Sequence, residues 1–130
     1  MRVVFDSNIF ISAFVFPGGQ AEKAMLQIID GPDRLLVSKE IIGEVLRVLA
    51  SKFARDGEAI SHTAVFLGDL GEQVTPDRTI AILADEPDNR ILECAVTGHA
   101  DLIVTGDKAM LALQEFEGVR IIPLAEYLAG

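Results

Sequence analysis

Leu102-Ile103-Val104-Thr105-Gly106-Asp107-Lys108 is an apolar run ended by a small-residue turn and an acid, and it decides the fold class. Three aliphatic residues in a row, without polar alternation, suit a strand buried on both faces, as in a parallel sheet covered by helices. Asp107 then stands where that strand ends and a helix opens at Lys108. The start of the chain repeats the pattern, with Val3-Val4-Phe5 running into Asp6. Both acids would project from the carboxyl ends of buried parallel strands, the edge at which open α/β sheets take their ligands.

Working outward, the spacing predicts a strand over 2–5 and a helix from Asn8 that stops at Phe16-Pro17-Gly18-Gly19. A second helix is expected over 20–30. Gly31-Pro32-Asp33 turns the chain into a strand over 34–37, and Ser38 caps a helix running from Lys39 to Phe53. A loop at 54–58 precedes a helix over 60–70 and a short edge strand from Glu72 closed by Pro76. The acidic connection Asp85-Glu86-Pro87-Asp88-Asn89 leads into a helix over 90–97 and the strand over 102–105. A helix over 108–116, a strand over 119–123 and a terminal turn through Tyr127 complete the pattern. Strands alternating with helices imply right-handed βαβ units. The expected architecture is a single domain over 1–130, a three-layer α/β/α sandwich around one parallel sheet.

Half of the 130 residues are apolar and few are aromatic, which suits parallel strands rich in Val, Ile and Leu. The single Cys94 has no partner for an intrachain disulfide and lies in the helical pattern Ile91-Leu92-Glu93-Cys94-Ala95, where it reads as a small buried hydrophobe. A reducing cytoplasm is the expected compartment. Asp6 and Asn8 interrupt the apolar N-terminal stretch before a signal-peptide core can form, and nothing reaches transmembrane length. A formal charge of −9 opposes broad electrostatic capture of nucleic acid. That objection weakens if several acids are metal ligands, because two bound divalent ions would cancel about four charges where a phosphate must approach.

Four carboxylates stand at element junctions: Asp6, Glu44, Asp88 and Asp107. Crowded at one sheet edge they would repel one another unless a hard cation such as Mg2+ or Mn2+ lay between them. Each also has a plainer reading. Asp6 and Asp107 could simply cap the helices that follow. Glu44 falls on the margin of the apolar face formed by Ile41, Val45, Val48 and Leu49, where it would either reach a cleft or pair with Arg47, and Glu40 one turn earlier competes with it. Asp88 precedes Ile91, Leu92 and Ala95 by helical spacing, so it sits on the buried stripe as a cap or as a ligand. Asn89 is read as a cap, Asn8 as a donor steadying Asp6, and Ser7 and Thr105 as helpers that hydrogen-bond water or phosphate. Gly18-Gly19 lacks the spacing and lysine of a phosphate-cradling loop. His62 and His99 have no zinc-site spacing.

Taken together, Val4-Phe5-Asp6-Ser7-Asn8, Ser38 followed by Glu44, Asp88-Asn89-Arg90-Ile91-Leu92-Glu93-Cys94-Ala95 and Ala100-Asp101-Leu102-Ile103-Val104-Thr105-Gly106-Asp107-Lys108 resemble a PIN domain almost end to end. Among PIN domains the chain looks like the toxin components of prokaryotic toxin-antitoxin pairs. The resemblance implies a metal-dependent ribonuclease whose acidic cluster, here Asp6, Glu44, Asp88 and Asp107, binds Mg2+ or Mn2+. It further implies RNA as substrate, a homodimer and a small antitoxin partner. Related chains often carry two adjacent aspartates where this one has Asp88-Asn89, so Asp85 or Glu86 could share the task of Asp88. The runner-up is a non-catalytic acidic α/β module that keeps the fold for protein binding. Its receiver-like version fits poorly, because the acids gather at the first and fourth strands.

Overall fold

The computed structural model describes residues 1–130, and its first strand, β1 (Arg2–Phe5), lies at the centre of a six-stranded sheet. From β1 the chain passes through α1 (Ser7–Val15) and α2 (Gln20–Asp30) to β2 (Arg34–Val37). Next come α3 (Lys39–Lys52), α4 (Gly57–Leu70) and the edge strand β3 (Glu72–Gln73). A long irregular stretch leads into α5 (Glu86–Thr97), which returns the chain to β4 (Leu102–Val104) on the other side of β1. The chain ends with α6 (Lys108–Leu113), β5 (Glu115–Phe116), β6 (Val119–Ile122) and α7 (Leu124–Ala129). The strand order is β3-β2-β1-β4-β6-β5. Right-handed crossovers therefore place the helices between β1 and β3 on one face and α5 and α6 on the other, giving the expected three layers.

The sheet is parallel except at one edge, where β5 pairs antiparallel with β6. The expected helix over 108–116 ends early because Gln114 adopts φ 60° and turns the chain into this hairpin. Glu117 at φ 48° and Gly118 at φ 87° then close it, the second being a conformation that glycine enters without steric cost. The terminal turn is a helix, α7, whose Tyr127 is buried against Phe5.

Other boundaries move for local reasons. Helix α4 begins at Gly57 because Asp56 accepts from the Ala59 N–H at 2.9 Å and caps it. Strand β3 is shorter than expected, its last ladder bond running from the Val74 N–H to the Val37 carbonyl. Helix α5 begins at Glu86, since Pro87 in the first turn loses no intrahelical bond there. Asp88 and Asn89 thus belong to the helix and not to the connection before it.

The register carries the site. Phe5 lies opposite Val104, so Asp6 and Thr105 leave the sheet side by side at the ends of β1 and β4. The Asp6 N–H bonds the Val104 carbonyl at 2.9 Å and the Thr105 N–H bonds the Ile122 carbonyl at 3.0 Å. One core of Val3, Phe5, Leu36, Ile41, Leu92, Ile103 and their neighbours lies beneath.

Candidate functional site

Asp6 is almost fully buried and uses both carboxylate oxygens. Oδ1 accepts from the Asn8 N–H at 3.0 Å, capping α1, and Oδ2 accepts from the Thr105 hydroxyl at 2.6 Å. Thr105 is wholly buried and links two acids, because its oxygen also accepts from the Asp107 N–H at 3.0 Å. Asp107 caps α6 through the Met110 N–H at 2.9 Å. The capping readings of Asp6 and Asp107 are therefore real, although capping leaves other carboxylate lone pairs free in each case.

Asp88 does something else. It stands inside the first turn of α5, 6 % exposed, and its Oδ2 has no hydrogen-bond partner. Burial, followed by the charges of Asp107, Asp6 and Asp85, pushes its carboxyl up to about 7. Asp6 is also raised, first by burial and then by Asp107 and Asp85, against the lowering effect of the Thr105 and Asn8 bonds. Asp107 thus raises both Asp6 and Asp88, and Asp6 raises Asp88, at the carboxyl edge of β1 and β4.

Glu44 is engaged by Arg47 instead. Its carboxylate forks onto Arg47 at 2.7 and 2.8 Å on the surface of α3. Ser7 is buried at the start of α1, whereas the Asn8 side chain is exposed. It is the Asn8 backbone N–H that steadies Asp6, a service that most residues could give. As the side chains stand, no three His, Cys, Asp or Glu groups form a ready-made cage for an ion. The chemistry of the set nevertheless fits a hard divalent cation, since the converging groups are all carboxyls and one buried oxygen lacks a partner.

The site's surroundings are held by one residue whose sequence reading the structure corrects and by others that the sequence reading passed over. Asn89, fully buried, is not a helix cap: its Oδ1 accepts from the Leu83 N–H at 2.9 Å and its Nδ2 donates to the Leu83 carbonyl at 2.9 Å. Buried Glu93 pairs with Arg90 at 2.8 Å and accepts from the Ile80 N–H at 2.7 Å. A glutamate inside the apolar run 91–95, with an arginine three residues before it, was the available signal, because a buried acid needs such a partner. Beside this pair lies a cleft of about 540 Å³ whose walls include Lys39, Glu40, Arg78 and Thr79. Cys94 is buried and its thiol is pushed up to about 12, first by burial, so it is no nucleophile.

A family model described as PIN domain matches residues 2–109. The chain belongs to the PIN domain family. An uncharacterized protein of Methanocaldococcus jannaschii, MJ1680, is 26% identical over 119 residues, spanning 88% of this chain and 76% of that protein. Among solved structures, VapBC-1 of nontypeable Haemophilus influenzae superposes with a TM-score of 0.66 at 15% identity, over 96% of this chain and 99% of that one. VapBC2 of Rickettsia felis, bound to a DNA fragment from its promoter, gives 0.64 at 11% identity, over 95% and 98%. VapC20 of Mycobacterium tuberculosis, a sarcin-ricin loop cleaving toxin, gives 0.62 at 15% identity, over 91% and 98%. At such identities the likeness is one of fold, and it extends over nearly the whole PIN domain.

Proposed function

We propose that this PIN domain is a metal-dependent endoribonuclease and the toxin of a toxin-antitoxin pair. The observation that carries the reading is Asp88, a buried carboxyl with an unpartnered oxygen in electrostatic reach of Asp6 and Asp107. A helix cap would not be built this way, because capping satisfies backbone N–H groups and Asp88 satisfies none.

Asp6, Asp88 and Asp107 would hold Mg2+ or Mn2+, with Glu44 joining them on leaving Arg47. When bound, the metal supplies activation of water and offsets the charge of the attacked phosphate. Thr105 and the Asn8 N–H hold the Asp6 oxygens in fixed directions, while the β1–β4 register keeps Asp6 and Asp107 together. The Thr105 hydroxyl at this edge is wholly buried and committed to Asp6 and the Asp107 N–H, which fits direct hydrolysis of an RNA phosphodiester by water.

A protein partner is supported by the surface around α4, where Leu67 is the only buried residue while Val65 and Phe66 are exposed. Phe16 and Phe53 are exposed as well. An antitoxin would cover such apolar area, and the active form would be a homodimer working in the cytoplasm. No helix is long and apolar enough to cross a membrane.

The test is cleavage of a fluorogenic single-stranded RNA in Mn2+ or Mg2+. Activity that stops in EDTA and returns with added metal is the expected result, and undiminished cleavage in excess chelator would sink the mechanism.

A further inference from the structure

Helix α5 lacks the device that usually orders a helix start. Asp85 occupies its N-cap position and makes no side-chain capping bond. The first turn, which carries Asp88, is therefore left without the side-chain acceptor that steadies free N–H groups at helix ends. The segment leading into it contains no helix or strand between Gln73 and Glu86, so its backbone bonds must come from elsewhere.

They come from α5 itself. Asn89 accepts from the Ile82 N–H at 3.3 Å and the Leu83 N–H at 2.9 Å, and donates to the Leu83 carbonyl at 2.9 Å. One turn on, Glu93 accepts from the Ile80 N–H at 2.7 Å while Arg90 donates to the Ile80 carbonyl at 2.9 Å. An amide is the side chain that can give and take at Leu83 together, since an ionised carboxylate only accepts. Asn89 is 0 % exposed and adjoins Asp88 in sequence. Two residues beyond the pinned Leu83 stands Asp85, whose charge acts on both Asp6 and Asp88.

We propose that Asn89 is a positioning residue for the acidic site, tying residues 82–83 to the first turn of α5 and thereby fixing Asp88 from within the helix. It anchors the helix start from the preceding segment, without supplying the acceptor that a cap would give. The role rests on the nuclease reading for its kinetic readout but not for its structural one.

The test compares full-length wild type, Asn89→Ala and Ile28→Val, the last a buried change on α2 that serves as a stability control. Amide hydrogen exchange, RNA turnover and the Mn2+ concentration for half-maximal activity are measured on each. In Asn89→Ala, exchange should quicken at residues 82–83 and 86–89, turnover should fall and the Mn2+ requirement should rise, each by about ten-fold. After correction for any loss of folded protein, Ile28→Val should keep wild-type values. Faster exchange with turnover and Mn2+ requirement unchanged would overturn the role, as would equal effects in the control. If Asn89→Ala does not fold, Asn89→Ser, which keeps one acceptor, is read by the same criteria. A wild type that neither cleaves RNA nor responds to Mn2+ would defeat the nuclease reading instead. Exchange alone then decides the clamp: quickening confined to residues 82–89 supports it and no change overturns it.

Discussion

The Thr105 hydroxyl donates to Asp6 Oδ2 at 2.6 Å, joining the ends of two neighbouring strands whose residues lie 99 positions apart in sequence. The same oxygen accepts from the Asp107 N–H, so one buried hydroxyl fixes the separation of two acids. Thr105→Val keeps the shape and removes the bond. It should cost about 1–3 kcal/mol by orphaning a buried acceptor, raise the Asp6 carboxyl further and lower turnover. Thr105→Ser should restore most of both. Thermal denaturation and RNA cleavage of the two variants check this, and a fully active Val variant would show that Asp6 needs no such tether.

Asp88→Asn removes a buried charge that repels Asp6 and Asp107 and breaks no bond to the backbone. The metal-free protein should be as stable as wild type or more so, while cleavage falls by roughly two orders of magnitude or more. Asp107→Asn should lose as much activity, since Asn still caps α6 but is a poorer metal ligand. Melting curves and turnover measured on the same preparations decide the matter. A destabilised but active Asp88→Asn would mark the residue as structural.

The pH dependence follows from the same cluster. The Asp88 carboxyl lies near 7 when folded and near 3.8 when free, so between those values the native state binds the extra proton. Its contribution is complete below the free value and is lost as pH rises through about 7. Asp6, also raised, adds in the same direction. Metal-free stability should therefore decline from about pH 5 to pH 7.5, with a slope of up to about 1.4 kcal/mol per pH unit from one such group. Asp88→Asn should flatten the curve, and millimolar Mn2+ should remove the decline by favouring the ionised site. Denaturant melts at half-unit pH steps will show it, and a wild-type curve as flat as that of the variant would mean that Asp88 is not perturbed.

Half-buried Glu44 forks onto exposed Arg47, one helical turn away. Arg47→Gln should cost at most about 0.5 kcal/mol in stability. Turnover should be kept, and the Mn2+ requirement should fall as Glu44 is released toward the site. Glu44→Gln should reduce turnover more than Glu40→Gln, measured in the same RNA assay. The reverse ranking would move the glutamate ligand one turn back along α3, to the wall of the neighbouring cleft.

By itself the sequence determined the layers and the candidate acids. Val3-Val4-Phe5 and Leu102-Ile103-Val104 read as doubly buried strands, because their side chains offer no polar face. Acids placed just after such runs must emerge at one sheet edge once crossovers are right-handed. Local chemistry also sufficed for Ser38, whose hydroxyl caps α3 as its place before an amphipathic helix implies. What local chemistry could not decide was anything fixed by contact across the sheet. Gln114 ended α6 by a backbone turn that no residue-type preference announces, and with it the sheet gained its antiparallel edge. Asn89 carries the hydrogen-bonding groups of a cap, and only its position beside segment 80–85 makes it a clamp. Asp6 and Asp107 both cap helices, as their positions allowed, and only the β1–β4 register brings them to one hydroxyl. Asp88 was legible as a buried acid, but whether its oxygens found partners depended on how α5 lies against β1, a matter of packing that spacing along one chain does not encode.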